Sequence, residues 1–391
     1  MHDKKLAVVF RTKFLPYSET FIDDELRQHH LYDVIVFTKK HVNNNLFSGH
    51  NVVSLSETKL KNRLIESFLF NNWRISWTFD RIFRKKTVDI IHAHFAYGGI
   101  FMIPFSKRYN LPLVVTLHGK DVTLLISDEI KQAKWKLYRK NYPQLFDTVS
   151  LFLAVSQELK DIMVSVGCPD DKVILHRLGI DLTQLTPRER DVSKIHQVVM
   201  IGRLVEKKGF EFGIRAFASV VHRGIDARLH IIGEGELRSH LEKVTQDMNI
   251  SDKVCFEGTL PHDRVIDFLR NSSVLLAPSV VAANQDRDGG LTSAKEASAC
   301  AIPVIGSIHG GIPDIVEDGV TGFLVKEKDV DALSARLFTL LKDENLRAAL
   351  GKNGRKKMEN EYDIRKCNEQ LEAIYDSLIA KNNKRMDNSD A

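Results

Sequence analysis

Cysteine is scarce in this sequence. Only four occur in 391 residues, Cys168, Cys255, Cys300 and Cys367, all widely separated. No CxxC string and no Cys/His cluster is present, which argues against a disulfide framework or a zinc site and for reduced thiols in a cytosolic protein. Long apolar runs are also missing. Nothing approaches about eighteen uninterrupted apolar residues, so no membrane-spanning helix is expected. The opening MHDKKLAVVF is basic, but its apolar run is short and suits a buried first strand better than a signal peptide. There is no short repeat, and no low-complexity stretch beyond the polar tail NNKRMDNSDA. No RNA- or DNA-binding motif accompanies the basic residues, so a nucleic-acid partner is not expected.

What is present describes a soluble globular protein, 43% hydrophobic and 27% charged. The length favours two domains over one core. The net charge of +5 is uneven: residues 1–185 hold 26 Lys+Arg against 19 Asp+Glu, the remainder 30 against 32. The halves should therefore meet different partners. Short apolar runs alternate with helical periodicity throughout. LAVVF (6–10), DVIVF (33–37), DIIHAHF (89–95), LPLVVTLHG (111–119) and LFLAVS (151–156) read as buried strands in the first half. VVMIG (198–202), RLHIIG (228–233), KVCFEG (253–258), SVLLAPS (273–279) and IPVIG (302–306) do so in the second. This alternation predicts two α/β domains, each a doubly wound parallel sheet covered on both faces. The seam is expected near LTQLTPRERDVSK (182–194), giving domains 1–186 and 192–365.

Ligands of such sheets sit where strands end and helices begin. After VVMIG come Gly202, Arg203 and, on the same loop, Lys208 and Gly209. A guanidinium fork and a compact ammonium suit a diphosphate, though a solvated basic loop explains the string about equally well. Glu234 and Gly235 follow the next strand, and Thr259 and Leu260 the one after. The stretch DGGLTSAKE (288–296) is more informative. Gly289 and Gly290 bare their backbone N–H groups, and a helix should begin near Leu291 or Thr292, with its positive end toward an anion. Asp288 precedes that end and Glu296 lies just over a turn inside, so the two acids cannot share one small ligand atom. They can bracket a long ligand with a negative centre and hydroxyls at either side, the layout of a nucleotide sugar.

The strings GRLVEKKG, HIIGEGELR and SVVAANQDRDGGLTSAKEASACAIPVIGSIHGGIPDIVEDGVTGFLV resemble, in order and spacing, the donor domain of retaining GT-B glycosyltransferases of the group 1 (GT4) type. That family includes many bacterial exopolysaccharide, capsule and lipopolysaccharide enzymes. The resemblance covers about 190–365 strongly and much of the first half more loosely. It implies two Rossmann-like domains facing across a cleft, with a C-terminal helix, 366–391, crossing back to the first. It implies a nucleoside-diphosphate sugar as donor, with Arg203 and Lys208 on the diphosphate, Glu296 on ribose hydroxyls and Asp288 on the transferred sugar. The family usually has Glu where Asp288 stands, and Pro-Glu where this chain has Pro313-Asp314.

In the first half, Ser18, Glu19 and Thr20 open a helix as a cap, and RTKFLPYSETFIDDEL (11–26) is similar to the first, acceptor-facing loop of exopolysaccharide and capsule members. HGKD (118–121) resembles the family's His-Gly-x-Asp/Glu stretch, which implies that His118 meets the transferred sugar, with Asp121 orienting it or the loop and His94 nearby. Residues 59–86 carry eight Lys+Arg against Glu66 and Asp80, with aromatics between. Such a segment either lies on an anionic bilayer or packs its apolar face on the sheet.

The expected reaction is metal-independent transfer of a hexose-type sugar from a UDP- or GDP-linked donor to a hydroxyl of a saccharide or lipid-linked saccharide, with retention. No Asp-x-Asp metal motif is expected at a strand end, in keeping with a metal-independent reaction, and no cofactor is expected. A nucleotide-sugar epimerase and a non-catalytic nucleotide-sugar-binding protein remain as alternatives. The expected location is cytoplasmic, on the inner face of the cell membrane.

Overall fold

The computed structural model describes residues 4–16, 19–43, 48–58, 60–188, 195–288 and 291–387. The chain divides into two compact units: one runs to Gly179 and resumes at Ile364, the other spans Ile180–Asp363.

The first unit is a seven-stranded parallel sheet built from β1 (Lys5–Phe14), β2 (Tyr32–His41), β3 (Val52–Ser54), β4 (Ile90–His94), β5 (Leu113–Leu117), β6 (Leu151–Ala154) and β7 (Val173–Leu175). Its strand order is β3-β2-β1-β4-β5-β6-β7. The second holds β8 (His196–Ile201), β9 (Ala227–Ile232), β10 (Val254–Gly258), β11 (Val274–Ala277), β12 (Val304–Ser307) and β13 (Gly322–Val325), in the order β10-β9-β8-β11-β12-β13. Every pairing is parallel. Counted from its own first strand, each sheet begins 3-2-1-4-5-6, the order of a Rossmann fold. The order therefore reverses between β1 and β4 in one unit and between β8 and β11 in the other. All ten expected strands are present. The three additional ones, β3, β7 and β13, are edge strands of three or four residues, too short to show a pattern.

Apolar strands buried on both faces explain the cores. In the first unit Phe10, Phe70, Phe79, Phe101 and Phe105 pack together on one face of the sheet. On the other, Leu371 and Tyr375 of the helix Ile364–Asp387 cover Ala7, Tyr32, Ile90, Val114 and Leu153. This face also explains why the C-terminal helix belongs to the first unit. The expected seam at 182–194 falls a few residues later than the division at Gly179, because Leu182 and Leu185 are buried in the second unit's core.

Candidate functional site

The second unit gathers its polar residues at the carboxyl ends of β8, β9 and β11. After β8, Gly202 and Arg203 lead into a short 3-10 turn, Glu206–Lys208, and the helix Phe210–His222 begins beyond Gly209. Backbone bonds tie this loop to its neighbours. Gly202 N–H donates to Ile232 C=O at 2.9 Å, Leu204 N–H to Glu234 C=O at 3.0 Å and Val280 N–H to Lys207 C=O at 2.9 Å. Two glycines are required for the loops to approach so closely. Gly209 (φ +61°) and Gly310 (φ +55°) would each place a Cβ 1.9 Å from a carbonyl oxygen, of Pro278 and Asp288 respectively.

The pair at the centre is Lys208 and Asp288. Lys208 Nζ lies 3.1 Å from Asp288 Oδ2, and Ser279 Oγ donates to the same oxygen at 2.8 Å. Lys207 Nζ stands 3.8 Å from Asp288 Oδ1 and 3.1 Å from Asp286 Oδ2. Burial would raise the Asp288 pKa, but the two lysines and the serine outweigh it and hold the carboxylate below its ordinary range. The Asp288 backbone N–H donates to His309 Nε2 at 3.2 Å, so His309 carries its proton on Nδ1 and donates it to Glu327 at 2.7 Å. Lys207, Ser279, His309 and Glu327 escaped the sequence reading. The only signal was the place of His309 directly before the second diglycine, in IHGG.

Asp286-Arg287-Asp288 is an Asp-x-Asp string, deep in the loop after β11, that the sequence reading passed over; here each aspartate faces a lysine. Asp288, expected on the transferred sugar, here has its carboxylate engaged by Lys208 and Ser279.

Arg203 is exposed and makes no ion pair among the described residues. Glu296 is buried in the helix Thr292–Ala299, where Oε1 meets His262 Nε2 at 2.7 Å. That helix starts at Leu291 with no side-chain cap, so its first N–H groups are left for another acceptor. Thr292 is exposed and Leu291 buried. Gly289 and Gly290, the expected diphosphate-facing pair, lie outside the described residues. Exposed Glu234 pairs with Arg238. Gly235 abuts the Leu204 backbone. Thr259 is exposed and Leu260 half-buried, just before the helix His262–Asn271.

The first unit has its own cluster, at the ends of β1, β4 and β5. His94 Nδ1 and His118 Nε2 are 3.1 Å apart, and the His118 ring touches those of Phe21 and Phe95. Beneath them, Glu25 Oε1 lies 3.4 Å from His94 Nε2 and 3.9 Å from His92 Nδ1. Burial alone would raise Glu25, but His94 and then His92 hold it well below the usual carboxylate range. Burial pushes His92, His118 and His176 below the ordinary imidazole value. Glu25, His92 and His94 are close enough to share a cation. Against that use, His92 Nδ1 already accepts from the Tyr375 hydroxyl at 2.5 Å and His92 Nε2 meets Thr116 Oγ1 at 2.7 Å, so His92 is engaged on both nitrogens, whereas Glu25 Oε1 and His94 Nε2 are buried without a hydrogen-bond partner among the described residues.

Asp121 orients the loop rather than the imidazole: its oxygens accept from the N–H groups of His118, Gly119 and Ala96 at 3.1, 3.0 and 2.7 Å. Glu19 precedes the helix Thr20–Arg27 without capping it. Instead Arg11 grips its carboxylate through two bonds of 2.7 and 2.6 Å, with the guanidinium 4.0 Å from the Phe95 ring centre. The expected acceptor-facing Glu19 is thus an internal lock, Thr20 is exposed, and Ser18 lies outside the described residues. Arg11 and Glu25 lie within the stretch 11–26, but nothing in its pattern singles them out.

Comparison with known proteins places this geometry. Residues 187–357 match the family model for glycosyl transferases group 1, and residues 24–184 that for glycosyltransferase family 4. The putative colanic acid biosynthesis glycosyltransferase WcaL of Escherichia coli is 30% identical over 294 residues, covering 74% of this chain and 71% of that protein. The amylovoran biosynthesis glycosyltransferase AmsK of Erwinia amylovora is 31% identical over 294 residues, covering 74% and 70%. Anabaena Alr3699/HepE, solved in complex with UDP, is 17% identical with a TM-score of 0.76, covering 95% of this chain and all of that one; it shares the GT-B fold. With doubly wound sheets in both units and basic, glycine-bearing loops at the switch point of the second, the chain belongs to the group 1 glycosyltransferases, family 4.

Proposed function

We propose that this glycosyltransferase moves a hexose-type sugar from a nucleoside-diphosphate sugar to a hydroxyl of a saccharide or lipid-linked saccharide, in the building of an extracellular polysaccharide, in the cytoplasm. The carrying observation is that Lys208, Asp288 and an uncapped helix start stand at the strand ends of one sheet, with Arg203 exposed on the loop that carries Lys208. A diphosphate leaving group develops negative charge as the glycosidic bond breaks. Arg203, Lys208 and the helix end would supply donors to meet it, an electrostatic means that calls for no metal. Glu296 would accept from the ribose hydroxyls, displacing His262. Transfer is proposed to proceed with retention, by front-face attack, with a donor phosphate oxygen taking the acceptor proton. The names of WcaL and AmsK support the polysaccharide setting, and the UDP complex of HepE supports a nucleotide donor.

The direct test is release of nucleoside diphosphate from UDP-, GDP- and dTDP-sugars by purified protein with chelator present, with and without saccharide acceptors. Release from one donor, reduced about 10²–10³-fold in Arg203→Ala and at least about tenfold in Glu296→Ala, is the expected result. Loss of release on chelation would overturn the metal-independent reading and turn attention to Asp286 and Asp288. An inverted anomer, read from the product's proton coupling, would refute retention. Interconversion of nucleotide sugars without acceptor would point to an epimerase.

Asp288 gives a second, separable prediction. In the unliganded site it neutralises Lys208, so an incoming diphosphate must compete with it. Asp288→Asn should therefore bind nucleoside diphosphate about three- to tenfold more tightly in calorimetry, as expected for one weakened charge contact. If the carboxylate also meets the transferred sugar, turnover by the same variant falls at least about tenfold. Tighter binding with unchanged turnover would assign Asp288 to lysine neutralisation alone.

A further inference from the structure

We propose that the helices Leu60–Trp73 and Trp77–Lys85 form a docking face for an anionic lipid bilayer. Six large apolar side chains stand exposed within fourteen residues: Leu64, Ile65, Phe68, Trp73, Ile75 and Trp77, with Leu64 66% and Phe68 58% exposed. Leu64, Ile65 and Phe68 share one side of their helix, and the Phe68 and Trp73 rings are in edge contact, 5.5 Å between centres. In the following helix, Trp77, Arg81, Arg84 and Lys85 are exposed at helical spacing, opposite buried Phe79 and Phe83. Lys86 is exposed beside them.

The two acids of this segment are turned inward and consumed. Glu66 is fully buried and accepts from Ser76 Oγ, Thr78 N–H and Thr78 Oγ1 at 2.5, 2.7 and 2.7 Å, which pins the junction between the helices. Asp80 accepts from Arg108 and Tyr109 at 2.8 Å. The exposed surface is therefore apolar and cationic, with no carboxylate among its described residues. A protein partner's surface mixes both signs, whereas an anionic bilayer offers one sign of charge above an apolar interior, which matches this face. No described helix is long and apolar enough to cross a membrane, so the attachment is interfacial. The inference extends the functional reading, since it would hold the enzyme at lipid-linked acceptors, but it does not depend on the transfer chemistry.

The test is co-sedimentation of the full chain with phosphatidylcholine vesicles lacking or containing about one third phosphatidylglycerol, with tryptophan emission recorded. Binding to the anionic vesicles alone, with a blue shift from Trp73 and Trp77, is expected. Replacing Arg81, Arg84, Lys85 and Lys86 with glutamine should weaken it at least about 100-fold, each basic residue being worth roughly a factor of five. Phe68→Ser with Trp73→Ser should also abolish it, while nucleotide binding by calorimetry stays intact in both variants and reports correct folding. No binding, or equal binding to neutral vesicles, overturns the proposal. So does a wild-type dimer in light scattering that the serine variant makes monomeric without vesicle binding, which would assign the face to a second copy of the chain. Vesicle binding is read without turnover, so it fails or holds separately from the donor site.

Discussion

Arg203→Ala is expected to lower kcat/KM for the donor by about 10²–10³-fold while the melting temperature stays unmoved. The two halves of that statement have different causes. Stability is indifferent because Arg203 is exposed and makes no ion pair among the described residues; surface changes of this kind cost little. Activity should be sensitive because, in the proposed reading, an always-charged guanidinium on the loop after β8 would meet the charge that develops on the leaving group. A fall shared equally by kcat and kcat/KM would mark an interaction made in the transition state, whereas a raised KM with unchanged kcat would mark uniform binding. Lys208→Ala provides the contrast. Removing that ammonium leaves Asp288 buried with its nearest counter-charge gone, so both activity and stability should fall, the latter by about 3–5 kcal/mol for a broken buried pair. If Arg203→Ala destabilises as much as Lys208→Ala, or if neither alters donor kinetics, the diphosphate assignment is wrong.

The second large effect is a loss of stability in mild acid. His92, His118 and His176 are held below the ordinary imidazole pKa of 6.5, chiefly by burial. Below that value the unfolded chain takes up protons that the folded chain does not. Protonation therefore favours unfolding: the stability is fully present above pH 6.5 and falls as the pH drops toward the depressed folded values. The three groups act in the same sense, so their losses add as the pH drops below 6.5. Glu25 acts in the same sense at lower pH. Its folded pKa is depressed by the neighbouring imidazoles, so its contribution is present above the unfolded carboxylate pKa and disappears as pH falls through and below that range. Urea unfolding of the first unit's signal across this window checks the claim, and a stability independent of pH from 7 to about 5.5 would refute it. His176→Gln, which keeps a polar group without titrating, should make the slope shallower.

These expectations show which parts of the molecule could be read early. The fold was legible because a strand buried on both faces must be continuously apolar, and LAVVF, DIIHAHF, VVMIG and SVLLAPS are. The glycines and basic residues after β8 and before the helix Thr292–Ala299 were legible because a loop that must approach a backbone or an anion leaves little choice of residue. The edge strands β3, β7 and β13 were not, since three or four residues carry no period.

The amino-acid sequence by itself determined the doubly wound class, the basic and glycine-bearing strand-end loops of the second unit and the absence of any spanning segment from the described helices. Only the tertiary structure decided what each acid does. Asp288, Glu19, Asp121, Glu66 and Asp80 are alike as carboxylates in a string. One neutralises Lys208, one is clamped by Arg11, one holds a loop by its backbone, and two are drawn inward to leave an apolar, basic face. The physical reason is that a carboxylate's role is set by the donors brought within about 3 Å of it. Those donors come from strands and helices far away in the chain, which local spacing does not encode.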